Sequence, residues 1–249
     1  MKKKHIFVYC IAVAAVFCMA ACGGGKKTAA SMHLVRTEGA VQVDDEKGKS
    51  VEIMENLGLY SGYGVITRAA SYGWINLDDV KLAKMDQESE VEIVKEDKLL
   101  EINVSSGSLF FNVTEPLAED ETMNIRTSTM FVGIRGTCGW VETETEDVMN
   151  AYLLKGQVEC TIVDEKGNIL ASAMLDAGQT ARMEYDGKDA SITVEKFSDI
   201  PDFVAEEIDD DDIDPSLLET TPPETETEPE SETETEEESD DGDVIYFGL

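Results

Sequence analysis

The chain reads as all-β, a domain built either as a β-sandwich or as a short irregular β-roll and followed by a disordered acidic tail. Three observations predict this. Apolar residues in the middle of the chain recur with a period of two, as in Ile102/Val104, Leu109/Phe111/Val113 and Val158/Cys160/Ile162, which is the spacing of a strand with one buried face. Two segments echo each other: Gly39-Ala-Val-Gln-Val leads into Asp45-Glu46-Lys47-Gly48, and Gly156-Gln-Val-Glu-Cys-Thr-Ile leads into Asp164-Glu165-Lys166-Gly167. Each repeated Asp-Glu-Lys-Gly puts glycine where a hairpin needs a positive φ, so both are expected as strand–turn–strand units. Finally, residues 201–249 contain 21 acidic and no basic side chains out of a net charge of −33. Such a segment cannot bury enough apolar surface to offset the entropy of ordering.

The elements follow in chain order. Residues 1–21 have the layout of a secretory signal peptide: Lys2-Lys3-Lys4, an uncharged apolar run from Ile6, and a small-residue end. The run is shorter than the roughly 20 apolar residues of a membrane-spanning helix. Met19-Ala20-Ala21-Cys22-Gly23 resembles a bacterial lipobox with Met in its first position, which makes Cys22 the expected site of lipidation. Residues 22–31, Gly- and Lys-rich, are expected as the tether from lipid to domain. Residues 32–200 form the expected β domain, long enough for a sizeable core. A third glycine-led strand, Gly107-Ser-Leu-Phe-Phe-Asn-Val, lacks the turn of the other two. Residues 201–249 form the expected tail, disordered from Glu206 to Asp243, with Thr-Glu alternation between Thr220 and Glu237 stiffened by Pro222, Pro223 and Pro229.

Composition excludes several functions. So acidic a surface repels nucleic acid. The only histidine beyond the signal segment, His33, cannot supply the three or four converging ligands of a metal site, and no metal or cofactor is expected. Asp209 to Asp214 lacks the ligand spacing of an EF-hand and reads as a place for loose counterions. No serine sits in Gly-x-Ser-x-Gly, and Gly23-Gly24-Gly25-Lys26-Lys27 lacks the second Walker glycine. Carboxylate pairs such as Asp78-Asp79 are too common in this chain to identify a glycosidase. No catalytic residue is therefore assigned. Cys138 and Cys160 are expected as two buried thiols, with a disulfide as the alternative.

The order of segments across the middle resembles the FecR domain. The resemblance rests on Val35-Arg36-Thr37-Glu38-Gly39, Thr67-Arg68-Ala69-Ala70-Ser71, Ser89-Glu90-Val91, Gly107-Ser-Leu, Ile125-Arg-Thr, Val132-Gly133-Ile134-Arg135-Gly136-Thr137, Leu154-Lys155-Gly156-Gln157 and Ala177-Gly178-Gln179. It implies a non-catalytic module outside the cytoplasmic membrane. In the founding regulator such a module follows a transmembrane helix and relays a signal to a cytoplasmic sigma factor. Only a few residues precede the apolar run here, so direct transmembrane signalling is not expected. The expectation is a lipid-anchored module that holds an envelope protein or polymer, or else a sensory lipoprotein that modulates a separate membrane regulator. The family motif Arg135-Gly136-Thr137 is expected to be structural, with the Arg135 fork buried against backbone carbonyls or a carboxylate.

Overall fold

The computed structural model describes residues 32–209 together with 212 and 213. The signal segment, Cys22, the tether and most of the acidic tail lie outside the described residues. The period-two stretches form seventeen strands joined in one hydrogen-bonded network that folds into two faces. Chain order gives β1 (Met32–Glu38), β2 (Val41–Asp44), β3 (Ser50–Val51), β4 (Leu57–Leu59), β5 (Tyr63–Thr67), β6 (Tyr72–Asp78), β7 (Lys81–Met85), β8 (Glu90–Glu96) and the long β9 (Leu99–Val113). There follow β10 (Thr122–Arg126), β11 (Met130–Ile134), β12 (Cys138–Thr145), β13 (Val148–Lys155), β14 (Gln157–Val163), β15 (Ile169–Asp176), β16 (Gln179–Tyr185) and β17 (Ala190–Lys196). A four-residue helix, α1 (Asp202–Ala205), comes last.

Both sheets are read from the pairings. Sheet A runs β4-β1-β6-β7-β9-β12-β13-β16-β17. Sheet B runs β3-β2-β5-β8-β9-β10-β11-β14-β15. Strand β9 belongs to both: its first half pairs with β8 and β10, its second half with β7 and β12. The architecture is thus a meander of long strands, each bent from one sheet into the other, and the apolar sides of the two sheets enclose one core. This meets the all-β expectation.

The bends fall at residues with positive φ. Gly39, Ala70, Glu88 and Gly107 mark them in the first half of the chain, at φ 73, 50, 54 and 79°. Gly136, Gly156 and Gly178 mark them in the second half, at φ 103, 89 and 81°. The register puts the first set at the Gly107 end of the sheet A half of β9 and the second at its Val113 end, so the line of corners changes sides at β9. The parallel pairing of β9 with β10 occurs at that changeover. Gly107 is therefore the middle of a strand rather than its start. A Cβ on it would lie 2.6 Å from Ser89 Cα. The space is taken by Ser89, whose hydroxyl accepts a hydrogen bond from the Ser108 N–H at 2.9 Å. Ser71 does the same one strand over, accepting from the Ala40 N–H at 2.8 Å.

The two Asp-Glu-Lys-Gly turns form as read. Asp45 accepts from the N–H groups of Lys47 and Lys49, and Asp164 from those of Lys166 and Asn168, with Gly48 and Gly167 at φ 71 and 81°. Bonds to the Lys49 amide first, and to the Asn168 side chain first, hold the two carboxyls below the ordinary carboxylate range.

The ordered domain extends past residue 200, where composition alone placed the start of the tail. Phe203 and Val204 are buried, and Glu206 and Glu207 are engaged with sheet A rather than free in solvent. The physical reason is that two apolar side chains and two carboxylates here meet apolar and cationic partners supplied by distant strands.

Two glycines of similar φ separate space from backbone strain. Gly48→Ala meets nothing within 4 Å, so it should cost only the left-handed backbone penalty, about 1 kcal/mol. Gly107→Ala must in addition displace Ser89, for a further 1–3 kcal/mol or so. Thermal melts of both variants check this; the Gly107 variant should melt several degrees below the Gly48 variant.

Candidate interaction face

The pleat gives sheet A an outer face, and one cross-strand row on that face is chemically distinctive. Arg36, Trp74, Lys84, Phe110, Trp140, Tyr152 and Thr180 stand directly opposite one another on β1, β6, β7, β9, β12, β13 and β16. Their chain neighbours Ile75, Ala83, Phe111, Val141 and Ala151 point the other way, into the main core. The row is a ladder of aromatic rings with two cations in it. The Arg36 guanidinium lies 4.1 Å from the Trp74 ring centroid, and the Lys84 ammonium lies 5.0 Å from Trp74 and 5.5 Å from Tyr72. Trp140 and Tyr152 stack at 4.5 Å with their planes 3° apart.

This face is covered by the chain's own C-terminal strap, Phe197 to Ile208. Phe197 meets Trp140 and Tyr152 edge-on at 5.2 and 5.8 Å. Phe203 and Val204 of α1 complete a second apolar cluster with Phe110, Cys138, Trp140 and Leu154. Lys84 is 0% exposed, and a lysine so buried is almost always paired. Its ammonium lies 3.1 Å from Glu206 Oε2 and 3.1 Å from Glu207 Oε1. Glu207 also accepts the indole N–H of Trp74 at 2.9 Å, and Asn112 donates to Asp212 at 2.7 Å. At the rim of the face, burial first and the Glu144 charge next push Glu142 above the usual carboxylate range, and burial does the same to Asp86.

The residues singled out from the sequence fall elsewhere. Arg135 is exposed at a corner and makes no hydrogen bond or ion pair among the described residues, so the buried fork expected of it is not there. The strand alternates Ile134 inward and Arg135 outward, and the chain bends at the next residue. The fork is made by Arg126 instead, which donates to the carbonyls of Thr127 and Ser128 at 3.0 and 3.2 Å and to Glu101 at 3.3 Å. Gly136 and Thr137 serve the corner. A Cβ on Gly136 would lie 2.9 Å from Pro116 Cα, and the buried Thr137 methyl fills the space facing Gly156.

Cys138 and Cys160 are free, buried thiols. Burial pushes Cys160 up to about 12, and burial with the Asp212 charge raises Cys138 further, so neither is a reactive thiolate. An open cleft of about 510 Å³ lies beside Glu101, Asn103, Arg126 and Thr143, but its Glu101 carboxylate is the counter-ion of Arg126. Among the described residues no cluster of His, Cys, Asp or Glu could hold a metal ion.

Residues 64–159 match the family model described as FecR protein. Over those residues the chain is similar to the FecR domain. The match spans β5 into β14 and includes the ladder residues Trp74, Lys84, Phe110, Trp140 and Tyr152, while the strap lies C-terminal to it. Two crystal structures of a proposed anti-sigma factor from Parabacteroides distasonis ATCC 8503, at 1.65 and 2.50 Å resolution, are similar at 15% identity and a TM-score of 0.44. The similarity covers 53% of this chain and 59% of that one. No curated protein matches the sequence.

Two predictions follow from this geometry. Arg126→Met leaves the Thr127 carbonyl and the Glu101 carboxylate without their donor, the Ser128 carbonyl being open to solvent, and should lower stability by roughly 1–2 kcal/mol, with little recovery in Arg126→Lys, whereas Arg135→Met should melt with the parent. At the strap, Glu206→Gln combined with Glu207→Gln leaves a buried ammonium without its counter-charges and should cost on the order of 3 kcal/mol. Lys84→Met removes the charge and keeps the apolar stem, so it should cost less than that pair of changes. Thermal melts of these variants measure both differences.

Proposed function

We propose that the chain is a non-catalytic lipoprotein, anchored outside the cytoplasmic membrane through Cys22, whose FecR domain engages another component of the envelope in a regulatory role. The observation that carries the reading is the FecR match over residues 64–159, which covers the changeover strand β9 and the centre of the ladder. The anchor rests on Met19-Ala20-Ala21-Cys22-Gly23 and the apolar run before it. The non-catalytic reading is supported by the engagement of the Glu101 carboxylate in the polar cleft. The leading form of the role is an interaction module that holds an envelope protein or polymer. A second form, a sensory lipoprotein that modulates a separate transmembrane signalling protein, is favoured by the family match itself.

Metabolic labelling with a fatty acid tests the anchor. The wild-type chain should take up label and Cys22→Ala should not; label retained by the variant would refute it. Cross-linking and capture of the lipidated full chain from membranes tests the role. Recovery of a defined membrane regulator would favour the second form, and recovery of cell-wall polymer the first.

A further inference from the structure

We propose that the outer face of sheet A is a peptide-recognition site for an acidic amphipathic segment of a partner protein. The segment presents two adjacent apolar side chains followed, within a helical turn, by two carboxylates, and the strap occupies the site in cis. The proposal rests on reading the FecR domain as an interaction module and names the surface and the chemistry of what binds there.

Charge makes the first argument. Lys84 is wholly buried in the ladder between Trp74 and Phe110, and its ion-pair partners among the described residues are Glu206 and Glu207, both from the strap. Of the groups on sheet A itself, Asp86 lies close enough to Lys84 for the ammonium to hold its carboxyl down in part against the larger upward push of burial, but it makes no ion pair with Lys84. The face thus carries a buried cation whose ion-pair partners among the described residues both come from outside the sheet. Aromatic rings around that cation add an apolar floor, and the Trp74 indole N–H adds a directional donor, to the Glu207 carboxylate. An apolar floor, a buried cation and one donor are what an acidic amphipathic peptide is read by.

The second argument concerns how the present occupant is held. Strap residues 197–201 have no regular secondary structure, α1 is four residues long, and Pro201 gives it no side-chain cap. The Glu206 side chain is 69% exposed even while paired. The strap follows the last strand, so lifting it breaks no ladder of either sheet. A terminal segment held outside the ladders can open below the free energy of global unfolding even when its side chains are packed. A cis segment nevertheless competes at an effective concentration on the order of millimolar. A partner segment must therefore match the strap's chemistry and bind the opened face more tightly to replace it.

The test cuts the strap free after folding, so the domain never has to fold without it. A specific protease site is placed at Ser198–Asp199 of the full chain, the protein is folded and cleaved, and the released strap is followed by size exclusion and by exchange with a fluorescent peptide of residues 200–213. The expected result is a strap that stays bound at micromolar protein and exchanges with the peptide. A scrambled peptide of the same composition should bind at least tenfold more weakly, and so should the native peptide on cleaved Lys84→Met protein. Loss of the strap without rebinding, or equal binding of the scrambled peptide, would overturn the proposal. A random-peptide display selection on the strap-free protein then reads the partner chemistry. Enrichment of an apolar pair followed by two carboxylates is expected; enrichment of an unrelated pattern, or none, would show that the face is an intramolecular seam. Either failure removes this surface and leaves the lipidation and membrane-capture results standing.

Discussion

The backbone conformation at the corners governs this fold. A strand that leaves one sheet and enters another must turn sharply, and the turn here is made by a single residue with φ between 50 and 103° in each long strand. Adjacent strands keep register across both sheets only when their corners fall at the same level, and packing enforces that level. Where one strand bends at a glycine, the neighbour places a small hydroxyl residue in the space, as Ser71 does beside Gly39 and Ser89 beside Gly107. That space is available because glycine lacks a Cβ, and the serine hydroxyl satisfies the amide that the bend would otherwise leave unpaired. Ala70 and Glu88 accept the same left-handed conformation with a Cβ, a local cost tolerated because the corners on either side of them fix the position.

The interaction face is a consequence of this register. With the corners aligned, Arg36, Trp74, Lys84, Phe110, Trp140, Tyr152 and Thr180 come level across seven strands although 144 positions separate the first from the last. A lysine in the middle of such a row cannot reach solvent by extending its stem along the sheet, as exposed lysines do. It requires carboxylates brought to it, and the strap brings two. The same strap covers the apolar surface that a bare row of Phe110, Trp140 and Tyr152 would show to water, so one segment settles a charge and an apolar patch together.

Much of this was legible in the sequence, and what was not has physical causes. The strands of the core were readable because period-two burial is local: Leu109, Phe111 and Val113 all face inward. The hairpin turns were readable because Asp45 and Asp164 act within four residues of themselves. In the sequence Gly107 looks like the start of a strand, since a bend inside a strand and the beginning of one both call for glycine. Ala70 and Glu88 gave no sign, because their conformation is imposed by neighbouring strands. Arg126 and Arg135 sit in similar contexts, Ile-Arg-Thr and Ile-Arg-Gly-Thr, and which one forks depends on the carbonyls of the turn at Thr127 and Ser128. Phe203 and Val204 were hidden by an acidic surrounding whose charge is answered by Lys84, about 120 residues earlier. The usable signal was there in Phe110-Phe111 and in Tyr72-Gly-Trp74, where aromatic residues occupy the strand phase that solvent normally claims.

The central claim is that the outer face of sheet A is sealed by the chain's own strap. The protein's two tryptophans, Trp74 and Trp140, both lie beneath it, at 6% and 3% exposure. Acrylamide quenching of tryptophan emission in the full chain therefore reports on the seal with no substitution at all. The account predicts quenching several-fold slower than for free indole, with emission shifted to the blue. Quenching close to that of free indole in a chain that keeps its β-sheet circular dichroism would contradict it.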